Sequence, residues 1–203
     1  MLGLPKSTEI SKQLAKKAIF DKFKPSPADR KLFDEQINRL AIVAEISPQT
    51  VAISAGADVS AVYAILVTLK TPDCDKRNIA LLSKLIDQRM LFVLQYEGSA
   101  RLAVYRAEKV LFSESKPIDE WKMTLSGLNL GAAWDNIIAQ IGGIDLSGGK
   151  GLDETITEND RREKLKKQIA ALEKKAMAEK QPRRKWELVD QVRKLKLELE
   201  ETQ

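Results

Sequence analysis

The 203-residue chain is 43% hydrophobic and 31% charged, with a net charge of +5, which is material for one core and an appendage. It has no histidine, so the commonest general base and nitrogen ligand is missing, and zinc hydrolases, Ser-His-Asp triads and Cys-His dyads are excluded within this chain. No run of about 18 apolar residues is present, and the apolar start at 1–6 reads as too short for a signal peptide; a single cysteine, Cys74, permits no intrachain disulfide and fits a reducing cytoplasm.

Taken in order, Leu2-Gly3-Leu4-Pro5-Lys6 reads as an extended lead-in and Ser7 or Thr8 as the cap of a short helix carrying Ile10, Leu14 and Ala18 on one face. The alternative for Lys6, Ser7 and Thr8 is an anion-binding helix start, although no Gly-rich loop precedes them. Pro25-Ser26-Pro27-Ala28-Asp29 is a helix start with Ser26 as cap and Pro27 at the first helical position. That helix is expected to carry Leu32, Phe33, Ile37 and Leu40.

Residues 42–46 and 51–54 read as two short strands, and the apolar run at 61–70 as a central one, ended by Thr71-Pro72-Asp73. Cys74 has acidic neighbours, Asp73 and Asp75, which oppose thiolate formation. Ile79, Leu82, Leu85 and Ile86 predict a helix over 75–90, and a hairpin follows, with strands at 91–96 and 101–106 around Glu97-Gly98-Ser99. A last body helix spans 128–141 with Leu130, Ala133, Trp134, Ile137 and Ile141 inward; Trp121 and Trp134 read as packing residues.

Five of the ten glycines fall between Gly142 and Gly151, marking a linker. The expected organisation is a mixed α/β body at 1–143, a Gly-rich linker at 144–157 and a basic helical hairpin at 158–203, with Thr157 or Asn159 as the hairpin's first cap. Leu165, Ile169, Leu172 and Ala176 form one seam, and Leu188, Val192, Leu195 and Leu199 a second, so the two helices can bury each other antiparallel. The fold class is α+β, a mixed sheet flanked by helices plus this hairpin. At 100° per residue, Trp186, Val189, Arg193 and Leu197 fall opposite the second seam, a stripe that calls for a partner.

Residues 1–158 balance 20 basic against 20 acidic side chains, so the tail holds the whole positive excess. Arg183, Arg184 and Lys185 crowd the hairpin tip, and Lys167 and Lys174 lie off the first seam. Such a patch can steer phosphate or an acidic protein.

Leu2-Gly3-Leu4-Pro5-Lys6-Ser7-Thr8, the strand Leu91-Phe92-Val93-Leu94 with Tyr96-Glu97-Gly98, the helix around Trp134, and the tail Glu179-Lys180-Gln181 with Arg184-Lys185 and Glu187-Leu188 together resemble a bacterial family classed as a domain of unknown function. The resemblance covers nearly the whole chain; Pro182 departs from the bulkier residue expected in the tail. It implies a context, because members tend to be encoded beside superfamily-two helicases and DNA methyltransferases in restriction-modification-like and phage-defence loci. It brings no catalytic residues.

In that context a metal-dependent nuclease is the obvious enzyme, and the element order from Ala28 to Tyr96 is compatible with a degenerate restriction-endonuclease-like core. Such a core needs an acid-x-Lys on its third strand to hold magnesium and orient water, whereas here Thr68-Leu69-Lys70 puts threonine in the acid's place; Glu45 and Asp58 are scattered. No metal site or cofactor is therefore expected. Two readings follow: a non-catalytic assembly subunit docking a helicase, a methyltransferase or a second copy, and a nucleic-acid clamp built on Arg183, Arg184, Lys185, Lys167 and Lys174. Assembly is the preferred one.

Overall fold

The computed structural model of the protein describes residues 2–146 and 151–201. The chain divides into a body, 1–145, and a C-terminal unit from 146 onward. In the body, six strands form one mixed sheet in sequential order: β1 (Glu9–Leu14), β2 (Ile37–Ile46), β3 (Val62–Leu69), β4 (Arg89–Tyr96), β5 (Ser99–Arg106) and β6 (Lys109–Pro117). All neighbours are antiparallel except β3 and β4. A parallel pair needs a crossover, and α3 (Lys76–Leu82) lies within it.

Strand alternation divides the core. Ile65 and Val67 of β3 and Phe92 and Leu94 of β4 join Ile19 and Phe20 of α1 (Lys16–Phe23), Phe33 of α2 (Pro27–Gln36), and Ile79 and Leu82 of α3 in one buried cluster. The intervening residues Leu91, Val93, Leu102 and Val104 are buried on the other face, where α4 (Leu130–Gly142) runs along β5 and β6 with Trp134, Ile137 and Ile138 inward. The run at 61–70 is thus a central strand, as its continuous apolarity requires.

The start of α2 follows its sequence signal: Ser26 Oγ accepts from Asp29 N at 3.2 Å, with Pro27 first in the helix. Several expectations are overturned. Ile10 and Leu14 lie on edge strand β1, with helix only from Lys16, so Ser7 and Thr8 cap nothing of the kind. Ser7 Oγ donates to Thr50 O at 2.6 Å, which ties the lead-in to the loop after β2, and the buried Thr8 Oγ1 donates to Pro5 O at 2.7 Å within the lead-in. Helix α2 ends at Gln36, and Ile37 and Leu40 belong to β2, longer than the expected strand at 42–46.

Residues 51–54 form no strand; Ser54 makes only an isolated bridge to Asn129. Helix α3 stops at Leu82, short of the expected 75–90, and the chain continues in turns closed by Lys84 N to Leu81 O at 3.2 Å and Leu85 N to Leu82 O at 2.9 Å. Strand β6 was not expected at all.

The C-terminal unit is a pair of helices, α5 (Leu152–Ala178) and α6 (Pro182–Glu201), packed against each other. Helix α5 begins in the stretch expected to be linker. Thr157 is inside it, its Oγ1 donating to Asp153 O at 2.8 Å, and Asn159 is inside it too, so neither is a cap. Within the expected linker, residues 147–150 lie outside the described ones.

Candidate interaction surface of the helical hairpin

The turn between the helices is short and chemically defined. Glu179 N donates to Lys175 O at 3.0 Å and closes α5. Gln181 N donates to Glu179 Oε1 at 2.9 Å, and Lys185 N donates to Gln181 O at 3.0 Å, the first turn of α6. Pro182 stands at the first position of α6, where its missing amide proton costs nothing and its fixed φ suits the helix.

The seam falls where the spacing places it. Leu165, Ile169, Ala176 and Val192 are buried, and Leu172, Leu188, Leu195 and Leu199 are partly buried. Two ion pairs tie the helices together, Arg161 to Glu198 at 2.6 Å and Lys196 to Glu173 at 2.8 Å. They join the basic start of α5 to the acidic end of α6.

The outer face of α6 is open. Trp186 is 75% exposed, Val189 51% and Leu197 53%, and Arg193 is exposed among them. Near the turn, Met177 of α5 is 82% exposed; it flanks the seam and is not among the residues that the seam spacing picks out. Its signal was an apolar residue one step outside the heptad-like spacing.

The basic residues at the tip sit where the backbone disfavours them. A helix N-terminus carries partial positive charge and stabilises acidic side chains, each by about 0.3–1 kcal/mol. Helix α5 obeys this with Asp153 and Glu154 in its first turn; α6 has no acidic residue there and begins Pro182-Arg183-Arg184-Lys185. Arg183 finds Glu187 one turn on, at 3.5 Å. Arg184, Lys185, Lys167 and Lys174 are exposed and make no ion pair among the described residues.

The body offers little reactive chemistry beside this. A cleft of about 470 Å³ opens near the ends of β3 and β4 and includes Cys74, Tyr96, Arg101 and Phe112. Arg101 is committed there, with Nε donating to Ser113 O at 2.7 Å and its guanidinium 4.5 Å from the Phe112 ring centre. Burial, with a smaller contribution from Asp75, pushes the Cys74 thiol up to about 12, against a hydrogen bond from Asn78 that lowers it; the thiol is therefore protonated and poorly nucleophilic. Lys70 Nζ, the lysine of the nuclease comparison, donates to Asp34 O at 2.6 Å. Glu45 pairs in register with Tyr63, whose phenol is held up by burial and then by that carboxylate. Among the described residues, no three Cys, Asp or Glu side chains gather as a metal site would require.

A sheet antiparallel but for one crossover, helices on both of its faces and a C-terminal helical hairpin define an α+β protein. The chain belongs to the family described as domain of unknown function (DUF4391), whose model matches residues 2–199, body and hairpin together. No curated protein and no solved structure matches it.

Proposed function

We propose that the protein is a non-catalytic accessory or assembly subunit of a cytoplasmic bacterial DNA-handling defence system, working with a larger enzyme such as a helicase or methyltransferase. The observation that carries this is the outer face of α6: three apolar side chains, a tryptophan among them, lie on the side away from the seam. A tryptophan left three-quarters exposed forfeits a large burial energy, and large exposed apolar patches mark interaction surfaces. The residues that a nuclease would need are committed elsewhere, Lys70 to a carbonyl and the threonine at 68 unable to ligate as a carboxylate would.

The test is Trp186→Ala in the full chain, co-expressed with a helicase or methyltransferase from its own gene neighbourhood, where this reading places the partner. Loss of co-purification, or of self-association, is the expected result. Retention of both would sink the assembly reading.

A second reading has its own support. Arg184 and Lys185, with no ion pair among the described residues, stand at the unfavourable end of a helix dipole, with Lys167 and Lys174 along the stem, as a clamp on a phosphate backbone would have them. Magnesium or manganese added with plasmid DNA tests the nuclease reading, and no cleavage is expected.

A further inference from the structure

Helix α6 is complementary to itself when reversed. Laid antiparallel on a second α6 about a midpoint between Gln191 and Val192, Trp186 meets Leu197 and Asp190 meets Arg193. Arg183 comes level with Glu200 at the edges of that face; Lys185 with Glu198 and Glu187 with Lys196 are level too, but at 100° per residue they point away from the contact. Every charged-to-charged match in that register joins opposite signs. A parallel pairing does the reverse, setting Arg183, Arg184 and Lys185 against their own copies at one end and Glu198 and Glu200 against theirs at the other.

The facing geometry agrees. At 100° per residue, Trp186, Asp190, Arg193 and Leu197 fall within an arc of about 60°, so the charge pair and the apolar pair share one face. That face is away from α5, whose seam takes Val192. Glu198 and Lys196 are already engaged with Arg161 and Glu173 across the hairpin, so the charge code rests on Asp190 with Arg193 and Arg183 with Glu200. Asp190 pairs with Lys194 at 2.8 Å and Arg183 with Glu187 at 3.5 Å in the single chain. Exposed pairs of that kind exchange cheaply.

We propose that a second copy of this chain covers the outer face of α6, its own α6 antiparallel, with Trp186 of each copy over Leu197 of the other. The proposal rests on reading that face as a protein interface, and it names the partner. The larger enzyme is then engaged by the dimer. The stripe from Trp186 to Leu197 is about 17 Å long at 1.5 Å per residue, which places the contact at the small end of specific interfaces and makes the dimer concentration-dependent.

The experiment is sedimentation velocity of the full chain from low to high micromolar concentration. Wild type shifts from monomer to dimer, and Trp186→Ala stays monomeric. Asp190→Arg sets arginine against Arg193, and Arg193→Asp sets aspartate against Asp190; each variant alone weakens the dimer by roughly 100-fold, since like charges in an interface cost several kcal/mol. Mixed together they restore it, because each supplies the sign that the other lacks, and two variants that merely misfold could not do so. Wild type monomeric throughout, or single reversals that leave the dimer intact, overturns the proposal. If wild type is monomeric while Trp186→Ala still abolishes capture of the co-encoded enzyme, the second copy is wrong and the interface stands; if Trp186→Ala alters neither, both fall.

Discussion

Asn78 and Gln36, 42 residues apart in sequence, meet where α3 leaves β3: Asn78 Nδ2 donates to Gln36 Oε1 at 2.8 Å. Asp75 N donates to the same oxygen at 2.8 Å, so one side-chain amide serves the first turn of α3 and closes off the last residue of α2. Asn78 is almost wholly buried. Gln36→Leu strands both donors and is expected to cost about 2–3 kcal/mol, and Asn78→Ala, which removes one donor and leaves a carbonyl still served by Asp75, about 1 kcal/mol. Urea unfolding followed by tryptophan fluorescence gives the two midpoints; the reverse ranking would refute the shared-acceptor account.

Gly56 is a second long-range joint. The loop that carries it lies against the start of α4, where Leu130 N donates to Ser54 O at 2.8 Å. A Cβ on Gly56 would stand 2.7 Å from Gly131 N and 3.1 Å from Gly131 Cα, and backbone cannot swing aside as a side-chain tip can. Gly56→Ala is therefore expected to destabilise the body by about 1–3 kcal/mol through overpacking. Gly98→Ala serves as the comparison, since its Cβ would meet nothing within 4 Å and its φ of +83° alone is strained. Thermal melts of both variants check it, with Gly56→Ala expected to lose more.

How far such joints can be seen in a sequence differs from element to element. Ser26-Pro27 and the run at 61–70 announce themselves because cap chemistry and continuous burial are local. The 106–109 hairpin does not, since its turn puts Ala107 and Glu108 at φ +48° and +59° with no glycine or asparagine to signal it, and β6 went unseen with it. Ile10 and Leu14 carry a helical spacing by chance on an exposed edge strand with a bulge, where only alternate contacts to β2 decide the conformation. Phe33, Ile37 and Leu40 face one core across a helix-to-strand junction, so their spacing of four and three continues a helical pattern that the backbone has abandoned. At the hairpin the seam and the exposed stripe were both legible, because in a two-helix unit the contact between the helices follows directly from the spacing of the apolar residues. Asp190 and Glu200 were not, because their meaning lies in the reversed register rather than in any local motif.

Cys74 gives a pH prediction with a definite sign. An unfolded thiol ionises near 8.5, whereas burial raises the folded one to about 12. The folded state thus holds a proton that the unfolded state loses, and the stabilisation is complete below the unfolded value and declines as pH rises toward 12. Wild type should lose stability between about pH 9 and 12 more steeply than Cys74→Ser. Native protein should react slowly with a thiol-specific disulfide reagent at pH 8 and fast in urea. Asn78→Ala removes the one contact that lowers the thiol, so the native reaction should slow further; a faster native reaction in that variant, with the fold intact, would contradict the assignment.

The hairpin tip yields the prediction that separates assembly from clamp. Arg183, Arg184 and Lys185 are exposed at the N-terminus of α6, and only Arg183 has an ion-pair partner among them, Glu187 at 3.5 Å. If they neutralise phosphates, each contact releases condensed counterions, and the logarithm of affinity falls linearly with the logarithm of salt by a slope near −0.9 per contact on duplex DNA. Changing all three to alanine should then lower affinity at moderate salt and flatten the slope by about 2–3. It should also stabilise the isolated hairpin slightly, because three cations leave the positive end of the helix dipole. Fluorescence anisotropy over a salt series, with a thermal melt of each protein, measures both. Weakened binding with a flattened slope supports the clamp, whereas ordinary nonspecific affinity, unchanged in the triple variant, removes it and leaves the tip free to serve the antiparallel register, where Arg183 faces Glu200.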